Sequence, residues 1–175
     1  MKTIPVFLFA ILTSLFINAQ SKSKDKKVVA DAKEAKTDFI KTDGLMSSLF
    51  NNAYAYVIFP NVGKGAVGIG GASGNGAVYQ GSKLIGMAKM TQVTVGFQWG
   101  GQAYREVIFF ENKEALDRFK ESKLELSAQA SAVAATAGAS ANAKYVNGVM
   151  IFTQIKGGLM YEASVGGQKF KFRKL

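Results

Sequence analysis

Tyr56-Val57-Ile58-Phe59-Pro60-Asn61 decides the reading of this chain. Four consecutive apolar residues, aromatic or β-branched, end on a proline and an asparagine that stop a strand. The run is too short for a helix and has no polar face, as expected of a strand covered on both sides. Val107-Ile108-Phe109-Phe110 and Val149-Met150-Ile151-Phe152 repeat the pattern, so three buried central strands are expected. Strands with one polar face surround them. Val93, Val95, Phe97 and Trp99 alternate with Thr94, Gly96 and Gln98, and Leu159, Tyr161, Ala163 and Val165 precede Gly166-Gly167. Phe170 and Phe172 alternate with Lys169, Lys171 and Arg173, which gives the last strand an aromatic edge and a basic one.

Period 3.6 replaces period 2 nearer the N-terminus. Val28, Ala32, Ala35 and Phe39 fall at helical spacing within Val28 to Lys41. A second helix is expected from Asp43 as N-cap, with Leu45, Met46, Leu49, Phe50 and Ala53 on one face. A third is expected after Asn112, with Ala115, Leu116 and Phe119 inward and Glu114 four residues before Arg118. Leu124 to Ala143 is ambiguous: its alanines favour helix, its alternating polar residues favour strand, and the reading taken is strand. No repeat or long linker divides the chain. The expected class is α+β, with two N-terminal helices packed on a strongly curved antiparallel β-sheet, barrel-like closure being left open.

The 175 residues contain neither Cys nor His and carry a formal charge of +10. Disulfides, thiolate chemistry, the usual zinc sites and His-based triads are thereby removed, and no metal or cofactor is expected. The charge favours acidic partners: nucleic acid, anionic lipid or a polyanionic wall polymer. Lys2, the apolar run Ile4 to Ile17 and Asn18-Ala19 read as a signal peptide over 1–19, cut after Ala19. The other reading, an uncleaved anchor, has to contend with a run shorter than the roughly 20 residues a spanning helix needs. Residues 20–27, with Lys22, Lys24, Lys26 and Lys27, read as a basic flexible leader. An exported protein is expected in the periplasm of a bacterial envelope or at its membranes, away from nucleic acid.

Gly63-Lys64-Gly65-Ala66-Val67-Gly68 matches G-x-G-x-x-G after an expected strand. A dinucleotide site also needs a helix next and an acid about 20 residues on. Ala66 to Val78 carries too many glycines for a helix, and no Asp or Glu occurs from Gly44 to Arg105. The segment instead reads as a strand with a glycine-alanine face that admits close packing. Lys64, Lys83, Lys89 and Arg105 are the only charges of the acid-free stretch. Clustered, they would form an anion site; scattered, they would not. Carboxylate catalysis would rest on Glu106, Glu111, Glu125 or Glu162, or on acids of the N-terminal helices, for which a structural ion pair is the commoner explanation. Ser73 or Ser82 with Lys64 or Lys83 has no spacing to support it. No enzyme activity is expected.

Taken together, these residues resemble the SYLF domain family, also called the Ysc84 actin-binding domain family. The carriers are Ala53-Tyr54-Ala55-Tyr56-Val57-Ile58-Phe59-Pro60, Val62 to Gly65, Val67 to Ala72 with Gly74 and Gly76, Gly96 to Gln102, Val107 to Phe110, Gly157 to Met160 and Gly166 to Phe170. On this resemblance 28–175 form a single SYLF-like domain. The resemblance implies lipid binding, phosphoinositides in eukaryotic members, actin binding in fungal ones, and no catalytic residues. Leu84-Ile85-Gly86-Met87 stands where eukaryotic members carry Trp-Ser-x-Pro. Export would also separate the chain from actin-like filaments, so the expected partner is an anionic phospholipid surface.

Lys22, Lys24, Lys26, Lys27, Lys33 and Lys36 at the N-terminal end, Lys64 and Lys83 in the acid-free stretch, and Lys169, Lys171, Arg173 and Lys174 in the last strand are the candidate lipid contacts. The helix from Val28 could instead lie in the membrane interface with Phe39 and Ile40 inserted. The alternative is a scaffold role in the cell envelope, on a protein or wall-polymer partner.

Overall fold

The computed structural model describes residues 7–67, 69–94, 102–124, 126, 132–156 and 165–175. Helix α1 (Phe7–Thr42) and helix α2 (Met46–Asn52) precede strands β1 (Ala55–Val67), β2 (Ile69–Gln80), β3 (Lys83–Thr94) and β4 (Gln102–Phe110). Helix α3 (Lys113–Lys120), strand β5 (Val133–Ala134), a 3-10 turn (Ala139–Asn142), strand β6 (Val149–Ile155) and strand β7 (Gln168–Lys174) complete the chain. The sheet order is β5-β6-β4-β1-β2-β3-β7. The three apolar runs therefore lie side by side: Ile108 is opposite both Val57 and Ile151.

The class is mixed α+β, with two corrections to the expected sheet. It is not wholly antiparallel, because β5 runs parallel to β6. It is not closed into a barrel, because β5 and β7 end it as separate edges. It is nevertheless strongly curled. Four strand spacings separate β4 from β7, about 19 Å in a flat sheet. Yet Gln168 of β7 donates from Nε2 to Glu106 Oε2 of β4 at 2.9 Å, and the Phe59 and Phe170 rings are 6.0 Å apart.

Glycine makes the curl possible on the inner face. A Cβ on Gly76 would lie 2.7 Å from Phe59 Cδ1 and 2.8 Å from the Ile58 carbonyl oxygen. A Cβ on Gly86 would meet the Phe172 ring and, at 2.7 Å, the Arg173 carbonyl oxygen. Gly76 of the Ala66 to Val78 segment thus packs its neighbours closely, but the segment belongs to a hairpin and not to one strand, and the expected face of Ala66, Gly68 and Gly70 lies outside the described side chains. Val67 pairs with Ile69 in antiparallel register, so Ala55–Val67 and Ile69–Gln80 are the two arms of one hairpin, and Gly68 lies outside the described residues. A strand, β2, follows the G-x-G-x-x-G run in place of the helix a dinucleotide site requires.

The sheet has a core on each face. Inside the curl, Val57, Phe59, Met90, Tyr104, Ile108 and Phe110 pack with Leu116 and Phe119 of α3. The outer face takes α1 and α2. Ala32, Ala35 and Phe39 are buried there, as their spacing foretold, and the two alanines let the helix sit close to the strands. Burying a side chain the size of Phe39 contributes about 1.5–3 kcal/mol. Helix α1 starts well before Val28, so the described part of 1–19 and all of 20–27 are helical. Among the described residues no helix is long and apolar enough to cross a membrane.

Asp43 does not cap α2. Buried, it accepts from the backbone N–H of Leu45 at 3.1 Å and of Ser140 at 2.8 Å, tying the α1–α2 turn to the 3-10 turn. Burial pushes its carboxyl up, but the hydrogen bonds from Ser140 and Leu45 outweigh this and hold it below its ordinary value. Leu45, expected inward, is exposed, while Met46 and Phe50 are buried. Asn112 caps α3, accepting from the Ala115 N–H at 3.0 Å, and Ala115, Leu116 and Phe119 face inward. The ion pairs on that helix join Asp117 to Lys113 and, at 3.7 Å, to Lys120. The described part of Leu124 to Ala143 is neither a long strand nor an α-helix: it holds the two residues of β5 and the 3-10 turn. Val95 to Trp99 and Leu159 to Ala163 lie outside the described residues.

Gly76→Ala and Gly86→Ala each force a methyl group against ring and backbone, and are expected to lower stability by about 1–3 kcal/mol. Gly63→Ala, with open space around its Cβ position, is expected to cost less than about 1 kcal/mol. Urea unfolding of the three variants checks this; equal losses would contradict the close-packing account.

Candidate basic groove

The outer face of the sheet has a phase of its own at its β3–β7 edge. On β3, Ala88 and Met90 point into the core, so Met87 and Lys89 point out. On β7, Phe170 points in and Lys171 and Arg173 point out. Register places Lys89 opposite Lys171 and Met87 opposite Arg173. Helix α1 runs over this edge and supplies Lys24, Asp25 and Val28. The result is a groove of about 210 Å³ lined by Lys24, Lys89, Lys171 and Arg173, with Asp25 as its one acid. Asp25 is already engaged: Arg173 Nη2 donates to its Oδ2 at 2.6 Å. Three ammonium groups therefore surround the groove without a carboxylate of their own lining it, an arrangement suited to an anion.

A second recess of about 340 Å³ shares Asp25 and Met87 as walls. Its floor is Val29, Leu84 and Met87, the exposed Leu175 side chain stands beside it, and Lys22 and Lys26 line its rim. A third recess lies further along α1. There Lys27 pairs with Asp31 at 3.0 Å, and Asn61 Nδ2 donates to the same carboxylate at 3.0 Å. Arg105 bonds to Asp38 nearby and to Gln154 Oε1 at 3.2 Å. Its charges are matched by local acids.

The twelve lysines and arginines picked from sequence separate accordingly. Lys24, Lys171 and Arg173 converge on the groove, and Lys22 and Lys26 border the adjoining recess. Lys27 is paired with Asp31. Lys33 is exposed on α1 away from both recesses. Lys36 is turned against the protein, its Nζ 4.8 Å from the Phe50 ring centroid and 5.3 Å from that of Tyr56, and 3.4 Å from the Tyr56 hydroxyl. Burial pulls its pKa below the ordinary lysine value. Burial likewise pushes the Tyr56 hydroxyl up to about 12, with Tyr79 adding to the effect. Lys64 pairs through its backbone with Ala72, and Lys83 pairs with Gln80. Eight residues of β2 separate these partners, about 27 Å. Lys169 and Lys174 are exposed on β7 but line neither recess.

The cations of the acid-free stretch accordingly do not cluster. Lys89 alone among them reaches the groove. The sequence carries no reading of β3 over residues 83–92, and the pairing of β3 with β7 that sets Lys89 beside Lys171 comes from the structure. Among the carboxylates considered for catalysis, Glu106 is fully buried and accepts from Gln168, and its charge adds to the burial that pushes the Tyr104 hydroxyl far above its usual value. Glu106 lines none of the recesses above. Glu111 is exposed, and Glu125 and Glu162 lie outside the described residues.

Two comparisons bear on what this fold does. Residues 91–174 match the Ysc84 family, described as Las17-binding protein actin regulator. The match takes in β7 and the end of β3, and leaves the Ala53 to Gly76 carriers of the resemblance outside it. The chain is also 30% identical over 123 residues to Beta cell expansion factor A of Aeromonas veronii, an alignment covering 70% of this chain and 47% of that protein. The chain thus spans about half the length of the curated relative it matches. In general the family is associated with lipid or actin binding.

Since Lys36 is held over two rings, Lys36→Ala is expected to lower stability by about 1 kcal/mol. Lys33→Ala, exposed on the same helix, is expected to stay within about 0.5 kcal/mol of the parent. Denaturant midpoints measure the difference, and equal midpoints would show that the ring contacts contribute nothing.

Proposed function

We propose that this chain, a Ysc84-family (SYLF) protein by its residues 91–174, binds anionic phospholipid at a membrane surface and catalyses no reaction. The observation that carries the reading is the gathering of Lys24, Lys89, Lys171 and Arg173 about one groove with Asp25 as its single acid. Lys22 and Lys26 extend the same positive face along α1. A basic side chain near an anionic bilayer contributes about 1 kcal/mol, so six such groups are enough to hold a domain there reversibly. The lipid association of the family supports the reading. The reading requires no actin, and the relative's name carries no activity over to this chain.

The same proposal places the protein outside the cytoplasm, in the periplasm or on a membrane of the bacterial envelope, with 1–19 removed as a signal peptide. Removal after Ala19 leaves residues 20–42 of α1, which include Val29, Ala32, Ala35, Phe39 and Ile40 of the outer core. The basic residues from Lys22 onward would remain on the mature chain.

Co-sedimentation tests the lipid reading. Phosphatidylglycerol vesicles are expected to bind the protein at low salt, and the affinity to fall as salt screens the charges, over a Debye length of about 8 Å at physiological ionic strength. Phosphatidylcholine vesicles are expected not to bind. Equal binding to both vesicle types at every salt concentration would refute the electrostatic mechanism. Retention on purified wall material with no vesicle binding would favour the scaffold role. Intact mass of the protein recovered from the envelope tests export: the expected chain starts at Gln20, and a chain retaining Met1 overturns the cleavage.

A further inference from the structure

Electrostatic attachment needs only a charged surface, whereas this face pairs charge with an apolar recess. The groove with Lys24, Lys89, Lys171 and Arg173 and the recess floored by Val29, Leu84 and Met87 share walls at Asp25 and Met87. Val28, Met87 and Phe172 also line the first, so its cations stand around an apolar interior, and the second is apolar with Lys22 and Lys26 at its rim. The neighbouring sites thus match the two halves of one amphiphile, a phosphate head and a hydrocarbon chain. Leu175, 60% exposed, is a further apolar group at the recess. Val29 and Leu84 are only partly buried against the outer core. Burial of a chain against these residues would remove apolar surface from water on both partners.

We propose that this face holds a single anionic phospholipid molecule, its phosphate between Lys24, Lys89 and Lys171 and one acyl chain along Val29, Leu84 and Met87. The proposal deepens the lipid-binding reading and rests on it for the choice of ligand. It adds a stoichiometric site to a surface attraction. Arg173 is the positioning residue: its bond to Asp25 ties α1 to β7 and so keeps the two halves of the site together. Lys89, outside the set that sequence alone selected, is a principal head-group contact because β7 places Lys171 directly beside it.

Calorimetry of the full chain with oleoyl lysophosphatidate, kept below its critical micelle concentration, tests the site. Binding is expected at one molecule per chain. Inorganic phosphate, which lacks the chain, and oleoyl lysophosphatidylcholine, whose choline cancels the charge of its phosphate, are expected to bind at least about tenfold more weakly. Lys89→Gln with Lys171→Gln is expected to weaken lysophosphatidate binding by at least about tenfold, as is Val29→Asp, which puts a charge in the chain's recess. Circular dichroism melts establish that these variants are folded. Their vesicle binding is expected to fall less, because the other cations remain. Phosphate binding as tightly as lysophosphatidate, or folded variants keeping full affinity, would overturn the site. Vesicle binding without lysophosphatidate binding would overturn the site and leave the surface mechanism standing. Lysophosphatidate binding without vesicle binding would do the reverse.

Discussion

The close approach of Phe59 to the bare backbone of Gly76 is the contact on which the rest of the architecture depends. A ring lying that near a strand requires a neighbour without a side chain, and β2 and β3 supply such positions along their inner faces. With those positions empty the sheet can roll inward until β7 faces β1 and β4 across the core. Phe170 then meets Phe59 and Phe119, and Gln168 reaches the carboxylate of Glu106. A buried carboxylate is costly unless hydrogen-bonded, and the curl is what brings it a donor from the far edge of the sheet. Packing and polar satisfaction depend on the same geometry.

The curl also decides where the charges go. With Phe170 inward, the intervening lysines and the arginine of β7 must point outward, toward the face that α1 crosses. Most acids of α1 are spent locally: Asp31 on Lys27 and Asn61, Asp38 on Arg105, Asp25 on Arg173. Partly exposed pairs of this kind add little stability, about 0–1 kcal/mol each. Their effect is chiefly positional, since they set the helix over the sheet. The same pairs leave an excess of lysine at one end of α1, so the overall charge of +10 becomes a local feature.

The apolar runs of the central strands, the stripe of Ala32, Ala35 and Phe39, the Asn112 cap and the alternation of β7 were all legible in the sequence. Each is dictated by short-range periodicity or by one residue type at one place. The expected stop at Pro60-Asn61 was not borne out, since β1 runs on through a register shift there to Val67. What depends on partners distant in the chain was not legible. The pairing of β1 with β2 looks like one continued strand because both arms carry the same small residues. Asp43 looks like a helix cap until Ser140, 97 residues on, comes to share it. Lys36 sits among lysines of identical local context, and only the tertiary placement of Phe50 and Tyr56 withdraws it from the surface. Lys89 shows the converse: its outward phase is local, but its value depends on which strand lies beside it. The candidate groove was therefore legible as a list of cations and hidden as an arrangement.

The contact between Asp25 and Arg173 spans 148 residues, almost the whole chain. A helix made first must wait for a strand made last. Loop closure over such a separation is slow to be rewarded, so the basic edge is among the late structures to consolidate as the protein folds. During synthesis, the early lysines emerge without the surface that organises them. The groove thus acts as its own certificate of completion: no partial product of this chain that stops before β7 can present it.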